Sequence, residues 1–254
     1  MTPAITAGLG AVAGAIIGSF LATLILRWPE GRSVASGRSV CDHCGTVLGP
    51  LDLVPLASFL ARRGRCAHCS GRIYGLHFSV ELACAVIGGI ALGQASGLEG
   101  AGWAVLGWGL LTLAILDWRH FWLPDALTLP LIFLGMTLGM WTTDVSLLDR
   151  AIGAAGGYGT LLVVSLAYRA WRGREGLGLG DAKLLGAIGA WLGWQALPFV
   201  LLIASLSALL VVGIGFVRGA KLDAKTQIPL GTFLCIAAVP GWLLMLILMN
   251  HGAG

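Results

Sequence analysis

Charged side chains are scarce in this sequence. Only 11% of its 254 residues are Asp, Glu, Lys or Arg, whereas 57% are hydrophobic and the mean hydropathy is +0.88. Soluble domains carry roughly 25% charged residues. No soluble fold of this length could hide so much apolar surface from water, so the composition predicts a membrane protein.

A basic segment is also missing ahead of the first apolar stretch, residues 5–26. Cleaved secretory signals begin with a basic segment, and their apolar core is shorter than this stretch. The absence disfavours a cleaved signal, and residues 5–26 are expected to form a retained transmembrane helix.

Eight apolar spans are predicted along the chain: residues 4–26, 78–96, 101–117, 121–141, 150–170, 181–196, 198–217 and 229–250. Several are close to the roughly 17 residues that a helix needs to cross a bilayer, and the sixth is slightly shorter. We therefore expect an all-α polytopic membrane protein with about eight transmembrane helices. Its parts are a first helix (1–26), a cytoplasmic loop domain (27–77) and a seven-helix membrane domain (78–254).

The positive charges are distributed as in a membrane protein, although the formal net charge of +4 is also compatible with nucleic-acid binding. Seven arginines lie in the long polar segment: Arg27, Arg32, Arg38, Arg62, Arg63, Arg65 and Arg72. Most others lie in three short loops: Arg119; then Arg169, Arg172, Arg174 and Lys183; then Arg218, Lys221 and Lys225. The turns between these loops have almost no positive charge, which is the alternation that the positive-inside rule produces.

This alternation predicts a topology in a bacterial inner membrane. Residues 27–77 are then cytoplasmic, and both termini are periplasmic. Fifteen of the 16 Lys and Arg residues face the cytoplasm, and Arg150 alone lies outside. Membrane lipid is the expected surrounding, and nucleic acid is not an expected partner.

The loop domain contains two Cys-x-x-Cys knuckles with 21 residues between them; their cysteines are Cys41, Cys44, Cys66 and Cys69. Such a pair is a zinc signature, because Zn²⁺ takes four thiolates tetrahedrally and each two-residue turn supplies two of them. The loop also has few large apolar side chains, so a structural metal would stabilise it. Disulfides are the alternative, which a reducing cytoplasm disfavours. His43 and His68 are expected to be bystanders, and Cys84 and Cys235 to be packing residues.

Four acidic residues lie within or at the end of apolar spans: Glu81, Asp117, Asp125 and Asp181. An ionisable group in that position is costly, and it is a candidate for function. For Glu81 the alternative is an ion pair with a nearby arginine. For Asp125 the alternative is capping of the helix that it opens.

Asp117 and Asp181 stand at the cytoplasmic edge of their spans in the predicted topology. Gly178 and Gly180 precede Asp181 and remove side-chain bulk, so that a substrate backbone could approach the carboxylate. Two carboxylates that meet share one proton, and such a pair can activate water and protonate a peptide carbonyl or leaving amine. No Ser-His or Cys-His constellation competes with this pair as a source of catalysis.

Five blocks of residues occur in the order typical of one family. They are Gly18–Leu21 before Arg27–Pro29; Asp52–Leu56 and Arg63–Cys66; Asp117 with Leu123–Pro130; Glu175–Leu185 running into Gly189–Trp194; and Ile228–Gly231. The chain resembles the prepilin peptidases, or type IV leader peptidases, which are related in chemistry to the Gly-x-Gly-Asp intramembrane aspartyl proteases.

The resemblance implies that Asp117 and Asp181 are the catalytic pair. It places Gly178, Gly180, Lys183 and Asp125 in or beside the catalytic loop. It also implies cleavage after a glycine, at the cytoplasmic face, of the basic leader of type IV prepilins or pseudopilins, the substrates of type IV pilus and type II secretion systems. Many members then methylate the new amino terminus with S-adenosylmethionine.

Two positions depart from the family pattern. Ala22 stands where an asparagine is common, and Thr232 stands where the last motif usually has proline. Neither residue is expected to touch the carboxylates. The stretch between the first span and Cys41 is shorter than in some bifunctional members, so a peptidase without methyltransferase activity is the main alternative.

Two further alternatives come from other classes of protein. A small transporter or channel would need polar residues near the middle of several spans, but the mid-span residues are nearly all aliphatic, Gly or Ser. A non-catalytic scaffold that binds a secretion partner through the zinc knuckles would leave the Gly-x-Gly-Asp block unexplained.

Overall fold

A computed structural model describes residues 2–34, 39–41, 43–173, 176–218 and 227–251 of the chain. Five residues named above lie outside these ranges: Arg38, Arg174, Glu175, Lys221 and Lys225. The α-helices in the described ranges are α1 (Pro3–Arg27), α2 (Ala57–Ala61), α3 (Gly75–Gln94), α4 (Gly97–His120), α5 (Asp125–Met136), α6 (Leu147–Arg172), α7 (Leu179–Leu192), α8 (Leu197–Val217) and α9 (Leu230–His251). The same ranges contain two isolated β-bridges and no strand, so the all-α prediction is confirmed.

Five helical segments of the described chain are long and apolar enough to cross a membrane: Pro3–Glu30, Gly75–Gln94, Gly97–His120, Leu147–Arg172 and Trp194–Val217. Two apolar helical segments are shorter, Asp125–Met136 and Leu230–Leu244. A multi-pass membrane protein is therefore confirmed, but the number of eight spans is not. The predicted fourth span breaks because α5 ends at Met136 and continues only as a 3-10 turn, Leu138–Trp141.

The helices group into two compact units, residues 1–108 and 109–254, and α4 runs through the boundary. In the first unit α1 and α3 pack with their backbones almost in contact. A Cβ atom added to Gly14 would lie 2.1 Å from the carbonyl oxygen of Cys84, and one added to Gly10 would lie 2.2 Å from that of Gly88. Small residues permit this approach, which supplies packing where lipid offers no hydrophobic drive for helix association.

In the second unit the short helix α7 forms the core. Ten of its 14 residues are buried, Ala182 and Leu184–Leu192. Its backbone meets α6 where Gly189 faces Gly153, since a Cβ atom on Gly189 would lie 2.2 Å from the Gly153 carbonyl oxygen. A helix of 14 residues is about 21 Å long, which is less than the roughly 30 Å hydrocarbon core of a bilayer. The predicted sixth span is therefore a buried helix that is short for a membrane crossing.

Arg150, on α6, is completely buried and does not face a carboxylate among the interactions that the structure describes. Its guanidinium donates to the carbonyl groups of Gly135, Gly139, Thr143, Val145, Ala190 and Trp191 and to the hydroxyl of Thr143, at 2.6–3.4 Å. Several of these carbonyls belong to the last turns of α5 and α7, where no intrahelical donor remains for them. The one arginine that departs from the predicted charge topology thus binds helix C-termini, which explains its position.

Candidate active site

Asp117 lies in the last turn of α4, with 5% of its surface exposed. Its Oδ2 atom accepts a hydrogen bond from the backbone N–H of Thr232 at 2.7 Å, and the hydroxyl of Thr232 lies 3.0 Å from the same oxygen. The hydroxyl also lies 3.0 Å from the carbonyl oxygen of Ala114. The carboxylate is therefore buried but held by a specific neighbour on α9.

Asp181 lies in the first turn of α7 and interacts electrostatically with Asp117. The backbone N–H groups of Gly178 and Gly231 lie beside its carboxylate. Its Oδ1 atom is buried and has no hydrogen-bond partner among the described residues. A buried polar oxygen without a partner is uncommon in native proteins, and it is available here to a proton, a water molecule or a substrate.

The first turn of α9 lies against both carboxylates. Gly231 contributes an N–H beside Asp181, and Thr232 contributes an N–H to Asp117. The first N–H groups of a helix have no intrahelical acceptor, and the helix dipole makes this end positive. The N-terminus of α9 therefore provides oriented donors for two acidic side chains at once.

Gly231 has no room for a side chain. A Cβ atom there would lie 2.7 Å from Leu123 Cδ1 and 3.1 Å from both Cγ and Oδ2 of Asp117. In the sequence Gly231 is recognisable only as the last residue of the Ile228–Gly231 block, with no role of its own. The expectation that Thr232 does not touch the carboxylates was wrong, because its side chain and its backbone both reach Asp117.

Two of the residues expected to support the catalytic loop, Lys183 and Asp125, form an ion pair. Lys183 donates to both oxygens of Asp125 at 2.7 Å, which ties the start of α5 to the first turns of α7. The N-cap residue of α5 is Pro124, so the structure shows an ion pair for Asp125 rather than the capping alternative.

The two glycines ahead of Asp181 also differ from each other. A Cβ atom on Gly178 would lie 3.5 Å from Asp181 Oδ2 and 4.0 Å from the backbone nitrogen of Gly180, both ordinary contact distances, so there is space beside this carboxylate oxygen. A Cβ atom on Gly180 would lie 2.8 Å from Leu123 Cβ. Leu123 thus fills the space that sequence reasoning left to a substrate at Gly180, and only Gly178 leaves space beside the carboxylate.

Glu81 lies in the first unit and is buried on α3. Its Oε2 atom accepts a hydrogen bond from the backbone N–H of Leu56 at 2.8 Å. Leu56 has a φ of +59°, a conformation that is rare for a residue with a side chain. The partner that the structure shows for Glu81 is thus the backbone of the loop domain, where sequence reasoning suggested an arginine.

The four cysteines of the loop domain converge. Their Sγ atoms all lie within 4.8 Å of one another, and the Sγ atoms of Cys41 and Cys69 are 3.8 Å apart. A tetrahedron with Zn–S bonds of about 2.3 Å has sulfur–sulfur edges of about 3.8 Å. A disulfide needs about 2.05 Å, and all six cysteines of the chain are free. The donor set therefore fits a tetrahedral thiolate-binding metal ion such as Zn²⁺.

The backbone of the two knuckles is built in the same way. Cys41 N–H donates to Thr46 and Cys66 N–H donates to Gly71, each at 2.9 Å, which closes a tight turn around each pair. The residue after the second cysteine has a positive φ in both knuckles, +68° at Gly45 and +57° at Ser70. This shared geometry aims the two thiols of each knuckle in one direction.

The thiols differ in acidity before a metal binds. Hydrogen bonds from the side chain and backbone of Thr46 lower the pKa of Cys44 to about 6. At Cys69 the backbone N–H of Gly71 lowers the pKa, but burial and the other three cysteines outweigh it and raise the pKa to about 11. Four thiolates repel one another, and a dication would remove that penalty.

His43 and His68 are not part of the cysteine cluster. The His43 ring lies 3.1 Å from the carbonyl oxygen of Arg72, and the backbone N–H of His68 contacts Cys66 Sγ. Both contacts support the knuckles without using an imidazole nitrogen as a ligand.

Comparison with known proteins assigns both parts of the chain to one family. Residues 12–94 match the Bacterial Peptidase A24 N-terminal domain, and residues 104–214 match the Type IV leader peptidase family. No solved structure matches the chain.

Several curated relatives carry the name Prepilin leader peptidase/N-methyltransferase. The protein of Burkholderia pseudomallei strain 1026b is 39% identical over 208 residues, which cover 81% of this chain and 67% of that protein. The protein of Aeromonas hydrophila is 40% identical over 210 residues, covering 82% and 71%. The protein of Pseudomonas aeruginosa is 34% identical over 257 residues, covering 92% and 87%. The chain therefore belongs to the type IV leader peptidase family of membrane enzymes.

Proposed function

We propose that the protein is a membrane aspartyl endopeptidase that cleaves the leader of type IV prepilins or pseudopilins, with Asp117 and Asp181 as its catalytic pair. The observation that carries this proposal is the electrostatic interaction between the buried Asp117 carboxylate and the half-buried Asp181 carboxylate, both of which lie against backbone N–H groups at the N-terminus of α9. Family membership and the names of the relatives support the choice of substrate.

The proposed chemistry uses the two carboxylates in opposite protonation states. The ionised member takes a proton from water while the water oxygen attacks the carbonyl carbon of the scissile bond, and the protonated member gives its proton to the carbonyl oxygen. The tetrahedral intermediate then collapses: the carbon–nitrogen bond breaks and the leaving amine takes the proton that came from water. One hydroxyl of the intermediate returns its proton to the carboxylate that had given it, which restores the starting state of the pair. Asp181 Oδ1, which has no partner among the described residues, is free to take part in these transfers.

A second activity, N-methylation of the new amino terminus with S-adenosylmethionine, is part of the proposal. The relatives' name includes N-methyltransferase, and residues 12–94 match the N-terminal domain of the family. The four cysteines, Cys41, Cys44, Cys66 and Cys69, would hold a structural Zn²⁺ with all four coordination positions filled. A closed site of this kind stabilises a fold and leaves no open position for chemistry.

The proposed topology places the loop domain and both aspartates at the cytoplasmic face of a bacterial inner membrane. It rests on the distribution of Lys and Arg, and the structure accounts for its one exception because Arg150 binds buried carbonyl groups. Labelling of a single cysteine introduced at Ser146 tests this orientation, since the residue should react only from the periplasmic side. Reaction from the cytoplasmic side would reverse the topology.

The decisive experiment incubates the purified protein in detergent with a prepilin and measures the N-terminus of the product by mass spectrometry, which reads cleavage and methylation together. Asp117→Asn and Asp181→Asn should each abolish cleavage, and the double variant should be hardly worse than either one because the residues act as a unit. The matched control is Asp144→Asn, an exposed residue between α5 and α6, which should keep its activity. Cleavage at near the wild-type rate by either active-site variant would refute the assignment of the pair.

Methylation needs a separate readout. Asp181→Asn should still methylate a substrate that was cleaved beforehand, because the two reactions use different groups. Cleavage without any methyl transfer would leave the protein as a peptidase only.

A further inference from the structure

We propose that Thr232 is a positioning residue that holds the Asp117 carboxylate in both of the protonation states that catalysis requires. This inference rests on the proposed function, because it assigns Asp117 a changing protonation state. It concerns a residue that stands outside the Gly-x-Gly-Asp block and on a different helix.

The first support is the geometry of the contact. Thr232 reaches a single oxygen of Asp117, Oδ2, with its backbone N–H at 2.7 Å and with its hydroxyl at 3.0 Å. The backbone N–H belongs to the first turn of α9 and cannot rotate, so it holds Oδ2 of Asp117 in one position.

The hydroxyl group of Thr232 has two possible acceptors. A hydroxyl group carries one proton, and Thr232 Oγ1 lies 3.0 Å from two acceptors, Asp117 Oδ2 and the carbonyl oxygen of Ala114. When Asp117 is ionised, the hydroxyl donates to Oδ2. When Oδ2 carries a proton, that proton is donated to Oγ1, and the hydroxyl turns to donate to Ala114.

A rotation about one C–O bond therefore satisfies every group in either state. No atom of the carboxylate has to move, and no buried donor or acceptor loses its partner, a loss that is costly inside a protein. Valine has the same shape and cannot do this.

The test compares three variants under the prepilin cleavage assay, with kcat and KM measured separately. Thr232→Ser keeps both donors and should stay within about 3-fold of the wild-type kcat. Thr232→Val keeps the backbone donor and the volume but loses the hydroxyl, so kcat should fall roughly 10- to 100-fold, as expected for a lost hydrogen bond to a charged group, with KM unchanged. The control is Thr128→Val, which removes another buried hydroxyl that donates to a backbone carbonyl and should leave kcat unchanged.

The outcomes separate this inference from the proposed function. A Thr232→Val enzyme with full kcat overturns it, and so does a loss that follows the thermal unfolding midpoint in detergent or that serine does not rescue. If the wild-type protein does not cleave, or if Asp117→Asn cleaves normally, the assignment of the catalytic pair has failed and this inference fails with it.

Discussion

Replacing Gly231 with alanine perturbs the candidate site by one methyl group. The added Cβ atom would lie 2.7 Å from Leu123 Cδ1 and 3.1 Å from Asp117 Cγ and Oδ2, whereas carbon atoms in contact prefer about 3.5–4.0 Å. The neighbours must therefore retreat by roughly 0.5–1 Å. Overpacking of this size costs about 1–3 kcal/mol of stability.

The effect on cleavage should exceed the effect on stability. Catalytic groups need to stay within about 0.5 Å of their productive positions, and a misplacement of 1 Å can cost roughly 100-fold in rate. Gly231→Ala should therefore lower kcat by about 10- to 100-fold in detergent-solubilised enzyme that is still folded. The measurement pairs kcat for a prepilin with the thermal unfolding midpoint.

Two further variants test whether displacement of the Asp117 carboxylate causes the loss of activity. Gly213→Ala on α8 adds the same methyl group where nothing lies within 4 Å, so it should leave kcat and stability unchanged. Combining Leu123→Ala with Gly231→Ala relieves the shorter contact, so the double variant should lose less stability than the sum of the two single variants, but kcat should stay low because the contact with Asp117 remains. A Gly231→Ala enzyme that cleaves at the wild-type rate would show that the carboxylate tolerates displacement.

Cys41→Ser should lower the zinc content of purified protein from about one ion per chain towards zero by metal analysis, and a metal-free protein with an intact loop domain would contradict this. Arg150→Met leaves several buried carbonyl groups without donors, at about 1–3 kcal/mol each, so it should lower the thermal unfolding midpoint far more than Arg172→Met at the exposed end of the same helix. Asp125→Lys should reduce cleavage, and adding Lys183→Asp should restore part of it, because the reversed pair can form again; equal activity of the single and double variants would remove any role for the pair.

The cysteine cluster and the two aspartates could be predicted because their signals are carried by side-chain type and spacing. Two short knuckles define a metal site locally, and an acidic residue at the edge of an apolar span is conspicuous wherever it occurs. Asp117 ends its apolar span and Asp181 begins its own, so the predicted topology places both carboxylates at the same membrane face.

The contribution of α9 could not be predicted in the same way. Gly231 and Thr232 both contact the carboxylates through backbone N–H groups, and a sequence does not reveal which helix start faces which carboxylate. Gly180 is a second example. From the sequence, the missing side chain of this glycine was expected to leave space for a substrate, but in the structure the side chain of Leu123 occupies that space. These contacts depend on tertiary packing across many residues of sequence.

The predicted number of eight spans was not confirmed, for a different reason. Hydropathy shows that a segment is apolar but not whether it faces lipid or protein. The helix α7 is apolar because it is buried among other helices, so it does not have to be long enough to cross a bilayer. For Arg150 the error is the reverse. The charge topology places this arginine outside the membrane, but in the structure its side chain is buried and surrounded by backbone carbonyl groups.

The two ends of α7 are anchored in different ways, and this limits how the site can move. At the C-terminal end Arg150 clamps the carbonyl groups of Ala190 and Trp191, and midway the backbone of Gly189 presses against Gly153. Sliding α7 along its axis by one turn, about 5.4 Å, would break both anchors together. These anchors hold Asp181, at the other end of α7, in a fixed position. Any motion that admits a polypeptide to the site therefore has to come from the segments around α7.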